Sequence, residues 1–292
     1  MKTNNNISAI GNLIMILILI ISYSCEKTSY LPEDNYALQE NADTTPQFLK
    51  ILFIGNSHTY TYDVPGTIAQ MANSRGDSVK KIQTRTPGGY TFKQHSRSES
   101  TLKAIKSEKW DYVILQGVGW LQALPTFMSD TAIYQYAEIL IDSIKNNSPE
   151  TQIILYMTHG YRNGVLTFDA AEWCEEDSVV CSSEGMLYRV KENYLKMAEL
   201  FDAEIAPSGM MWKIFGDKYP GVNLYQDDGA HASPYGSYLS SCCIYSLIFK
   251  KKSINNYFPS NVNKDVALNI QAVVSNSLFD CNPDWHTYTL KD

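Results

Sequence analysis

From Phe48 onward, short apolar runs alternate with longer amphipathic stretches. That alternation is the sequence signature of a parallel β-sheet with helical crossovers, because parallel strands need long connections and bury both faces. Strands are expected at residues 49–54, 79–84, 112–115, 153–157 and 203–206. Helices are expected at 64–74, opened by Pro65 in the first turn, and at 92–107, 130–145 and 184–201. In the last of these Leu187, Val190, Tyr194, Met197 and Phe201 fall three or four apart on one face. Ser233-Pro234 opens a further helix to about residue 249, and residues 262–278 read as helical. The fold class is therefore α/β with a mainly parallel, five-stranded sheet.

With 292 residues, of which 44% are hydrophobic, the chain is long enough to bury a full core. A net charge of −7 without a basic block excludes a nucleic-acid footprint, so no nucleic-acid partner is expected. Leu13 to Ile21 is an unbroken apolar run, too short to span a bilayer and suited to a signal-peptide core. It is followed by Ser22-Tyr23-Ser24-Cys25, which resembles a lipobox. Residues 1–24 are read as a lipoprotein signal peptide, Cys25 as the lipidated residue, 25–47 as a flexible polar tether, and 48–292 as one domain. The expected location is the cell envelope, with membrane contact through the N-terminal lipid anchor only. A monomer is expected. Cys174 and Cys181 are near enough in sequence to staple a loop or to stay unpaired, and the sequence leaves both open. No cysteine pair has zinc-site spacing with histidines, so neither a metal nor a cofactor is expected.

In sheets of this kind ligands bind beyond the carboxyl ends of the strands. Polar or glycine-rich clusters follow four expected positions: Gly55-Asn56-Ser57-His58-Thr59, Pro87-Gly88-Gly89-Tyr90-Thr91, Gln116-Gly117, and Asp227-Asp228-Gly229-Ala230-His231. A serine hydroxyl is a weak nucleophile at neutral pH and needs an adjacent base that is itself oriented. Ser57 can be that nucleophile and His231 the base. Asp228, three residues before His231, can be the orienting carboxylate, with Asp227 as its competitor. Acyl transfer also needs donors for the developing oxyanion. Three are available: the Ser57 N–H, the Gly89 N–H and the Gln116 side-chain amide.

These blocks resemble, in order, those of the SGNH (GDSL-type) hydrolases. Ile54-Gly55-Asn56-Ser57 stands at the nucleophile block, Gly89-Tyr90-Thr91 at the second-block glycine, and Asp228-Gly229-Ala230-His231 at the Asp-x-x-His block. The Gly-Asn-Ser form is similar to a branch of bacterial envelope lipoproteins. Asn56 stands where the broader family has Asp, and Gln116 where the third block supplies Asn. The resemblance covers nearly the whole domain. It implies a three-layer α/β/α sandwich of flavodoxin-like form and a serine esterase. Together with export it points to the removal of small acyl groups, acetyl first, from a carbohydrate.

Two other readings stand beside it: a glycan-binding surface lipoprotein that has lost turnover, suggested by Asn56 and Gln116, and a lipase or thioesterase. His159 and Tyr161, after the fourth expected strand, and Trp120, after the third, are candidates for lining the substrate pocket. His58 is expected behind the site or at the surface. His95 and His286 have no supporting pattern.

Overall fold

The computed structural model describes residues 37–40, 47–168, 172–281, 284–287 and 289. The expected signal peptide, Cys25 and most of the tether lie outside the described residues.

Strand β1 (Phe48–Ile54) leads through a one-turn helix, α1 (Ser57–Tyr60), to α2 (Val64–Ser74) and then β2 (Ser78–Arg85). Next come α3 (Phe92–Arg97), α4 (Glu99–Lys106) and β3 (Tyr112–Leu115). The single helix expected over residues 92–107 is two, because Ser98 takes an extended ψ of 115° and its hydroxyl accepts from Thr101 N–H to cap α4. After β3, short helices α5 (Gly119–Gln122) and α6 (Thr126–Ser129) lead through a π-turn at Asp130–Tyr134 into α7 (Gln135–Asn147). Then follow β4 (Gln152–Tyr156), a short strand β5 (Arg162–Val165) outside the main sheet, and α8 (Glu172–Glu176). The long α9 (Ser183–Phe201) precedes β6 (Glu204–Ala206). Helix α10 (Ser208–Lys218) follows β6 and was not anticipated; α11 (Pro234–Phe249) and α12 (Lys264–Phe279) complete the order.

The sheet is five-stranded, in the order β2-β1-β3-β4-β6, and every pairing is parallel. Helices flank it in two groups: α2 packs on α11, which also meets α10 and α12, while α7 packs on α3 and α4. The central strands are wholly apolar where they are covered on both sides, as at Ile51 to Ile54 and Val113 to Leu115. Helix α11 is buried around its whole circumference and carries the free thiols Cys242 and Cys243, which burial pushes up to about 12. Reactive thiolates are absent from that helix at neutral pH.

The chain runs from β1 outward to β2 and then returns past β1 to β3. The order therefore reverses between β1 and β3, and a crevice opens beyond their carboxyl ends, where ligands bind in open α/β sheets. Gly55 to Ser57 and Gln116-Gly117 stand there.

Candidate active site

The turn after β1 is tightly built. A Cβ on Gly55 would stand 2.6 Å from Thr59 Oγ1 and 2.7 Å from Gln116 Oε1, so only glycine fits. The Gly55 carbonyl accepts a hydrogen bond from His95 Nε2 at 2.8 Å. With that nitrogen donating, neutral His95 accepts at Nδ1 from the Thr101 hydroxyl at 3.0 Å. Burial lowers the His95 pKa, opposed by the bond to Gly55. Asn56 caps α1, its Oδ1 accepting from His58 N–H and its Nδ2 donating to Tyr90 O at 3.1 Å. Those bonds tie the turn after β1 to the Gly88-Gly89 loop and leave Ser57 at the first position of α1.

The second half of the site is the loop between Tyr225 and Ala232, which pair across an isolated antiparallel bridge. Gly229 turns it with φ of +69°. Arg162 clamps it from outside, its N–H donating to Gly229 O at 2.8 Å and its guanidinium to Gln226 O at 2.9 Å. His159 holds it from within, Nε2 donating to Ala230 O at 2.8 Å while the ring stacks on Trp212 at 3.6 Å.

Across the crevice the two halves meet. His231 Nε2 lies 2.8 Å from Ser57 Oγ, and His231 Nδ1 lies 2.5 Å from Asp228 Oδ2. With Nδ1–H donating to the carboxylate, Nε2 is left as the acceptor for the serine proton. Asp228 Oδ1 also accepts from the N–H groups of Ala230 and His231, both at 2.9 Å. Burial works against the Asp228 charge, but the bonds from the His231 ring and these two N–H groups outweigh it and push the carboxyl down to about 2. The bonds run to Asp228; Asp227 is exposed and has no bond to His231.

Gln116 is a correction. It was expected to donate to an oxyanion, yet it is fully buried and its amide is spent inside the protein. Its Oε1 accepts from Asn56 N–H and from the Thr59 hydroxyl, each at 2.9 Å, and its Nε2 donates to Gly117 O. The N–H groups of Ser57 and Gly89 do remain open: among the described residues neither donates to an acceptor, and both residues line the cavity.

That cavity has a volume of about 470 Å³ and contains Asn56, Ser57, His58, Gly89 and His231 in its lining. The rest is apolar: Val118, Trp120, Tyr161, Val165, Trp173 and Ala230. Trp120 and Tyr161 thus stand in the wall of this cavity. His159 is a second correction, since it stands behind the Ala230 loop and lines a different cavity with Trp212 and Tyr225. His58 is 4% exposed and lies among rings, 5.4 Å from His231, 5.2 Å from His159 and 6.0 Å from Tyr161. Burial, then His159 and His231, hold its pKa well below the ordinary value, against a smaller pull from Asp228. It is neutral beside the catalytic-type pair.

Sequence reasoning missed Trp173, Val118, Val165 and the supporting His95. Trp173 lies on α8, immediately before the Cys174–Cys181 disulfide, whose sulfurs are bonded. The only sequence signal for it was its place beside that cysteine.

No family model matches the sequence, and no curated protein does. Solved structures do match. A DUF4886 family protein from Bacteroides uniformis superposes with a TM-score of 0.66 at 19% identity, covering 80% of this chain and 95% of that one. A protein from Slackia heliotrinireducens described as an SGNH hydrolase superposes with a TM-score of 0.53 at 22% identity, covering 69% of this chain and 99% of that one. The likeness spans nearly the full length of each of those two solved structures, and the chain has the fold of the SGNH hydrolases.

Proposed function

We propose that the protein is a serine hydrolase of carboxylic esters that acts, outside the cytoplasm, on an acylated carbohydrate. The observation that carries the reading is the continuous relay from Ser57 Oγ through His231 to Asp228, at 2.8 and 2.5 Å. In this mechanism His231 takes the Ser57 proton as Oγ attacks the ester carbonyl. Asp228, ionised at any physiological pH, fixes the ring tautomer and stabilises the imidazolium. The open N–H groups of Ser57 and Gly89 receive the oxyanion. His231 then protonates the departing alcohol, and a water attacks the acyl-enzyme by the same route. The carbohydrate as alcohol, and acetyl as the first acyl group to try, come from the family resemblance and the export signal.

The test is acyl release from p-nitrophenyl esters and acetylated xylan. Wild type is expected to turn over; Ser57→Ala and His231→Ala are expected to lose at least about 10³-fold in kcat. Equal rates in wild type and Ser57→Ala would refute the assignment. Unchanged glycan binding with no release by either protein would favour the binding-lipoprotein reading.

A further inference from the structure

The cavity at Ser57 is larger and more apolar than an acetyl group requires. A water-sized group takes about 30 Å³ of liquid volume, so about 470 Å³ has room for on the order of ten such groups. Acetyl would leave most of the apolar wall against water, gaining nothing from it. Resting on the hydrolase reading, we propose that this cavity is an acyl pocket selecting an apolar acyl group substantially longer than acetyl, with Trp173 and Trp120 as the apolar walls that the chain packs against.

Three features of the chain build the pocket. Gly119 starts α5 without a side chain, and a Cβ there would stand 2.9 Å from the Tyr161 hydroxyl, so Tyr161 can close one side. Asn193 on α9 holds the end of α5 and the turn after it by donating to Gln122 O at 2.9 Å and Leu124 O at 2.7 Å, which fixes the helix that presents Trp120. Trp173 meets Trp120 edge to face at 5.6 Å and is anchored by the neighbouring Cys174–Cys181 bridge. The indole pair is thus held from two sides of the chain, by a buried amide and by a covalent staple. Val118 and Val165 complete a lining that contains no Asp, Glu, Lys or Arg. A polar sugar hydroxyl would find few partners there, whereas a hydrocarbon chain would exchange water for apolar surface along its length.

The experiment is kcat/KM of the purified protein for p-nitrophenyl acetate, butyrate, hexanoate and octanoate, with the alcohol constant. As a control for the alcohol side, a series of acetate esters of increasing alcohol size is run beside it. Burying each methylene is worth about 0.8 kcal/mol, or about fourfold in kcat/KM. A rise of roughly this size per methylene is expected through hexanoate, with no comparable rise in the alcohol series. Trp173→Ala and Trp120→Ala should each cut the hexanoate-to-acetate ratio about tenfold, and Trp173→Phe should restore most of it. A profile flat or falling from acetate, or a rise confined to the alcohol series, overturns the acyl pocket while leaving the hydrolase intact. No release from any ester by wild type overturns both.

Discussion

At the scale of single residues, Gln116 shows how one buried amide can govern a site it never enters. Its carbonyl oxygen accepts from both the Asn56 N–H and the Thr59 hydroxyl, so it fixes the turn in front of Ser57. Gln116→Ala would leave two buried donors unpaired, at about 1–3 kcal/mol each. The melting temperature should then fall by on the order of 5–10 °C, together with activity. Thermal melts beside kcat decide it: an unchanged melting temperature with kcat reduced 10²–10³-fold would mean that Gln116 serves the oxyanion after all. His95 works in the same way on the neighbouring carbonyl of Gly55. Neither role could be read from sequence, because each depends on a contact across 40 or more positions of chain.

Among the elements, strands surfaced in the sequence because a strand covered on both faces must be continuously apolar, as Tyr112 to Leu115 is. The place of the candidate site was legible for a related reason: the residues that follow such strands have one place to go. Helix α10 was hidden. Met210, Met211, Trp212 and Phe215 are buried at helical spacing, but Gly209 and Gly216 interrupt the pattern and no side-chain cap marks its start. A Cβ on Gly209 would stand 2.2 Å from the Thr158 carbonyl, so close packing on the chain after β4 explains that glycine. The break between α3 and α4 escaped because Ser98 reads as an ordinary surface serine until its capping bond is seen. The pocket wall on α8 was the least legible element. Trp173 reaches the site only through the fold of the loop that the disulfide closes, and local pattern carries no record of that loop's path.

The molecule as a whole is built to keep its interior histidines neutral. Burial lowers His159 to about 4, partly opposed by its bond to Ala230, and burial likewise lowers His286 to about 4. His58 and His95 are shifted the same way. In the unfolded chain these rings protonate near pH 6.5, so between pH 6.5 and 4 the unfolded state binds more protons. Stability must therefore fall as pH falls through that window, by about 3 kcal/mol for His159 alone at pH 4. Below that, loss of the Asp228 charge adds in the same direction as pH approaches 2. Melting temperature measured from pH 7 to 4.5 should decline steadily, and a flat or rising curve would show that the rings are not held neutral by the fold.

The same architecture places Ser57 and His231, 174 positions apart in sequence, within a hydrogen bond at the point where the strand order reverses. The most direct test of that arrangement is intact-mass spectrometry after exposure to a fluorophosphonate, which phosphonylates an activated serine. One adduct is expected on the wild-type protein, mapped to Ser57, and none on Ser57→Ala or His231→Ala. A wild-type protein that stays unlabelled, or an adduct that persists in Ser57→Ala, would contradict it.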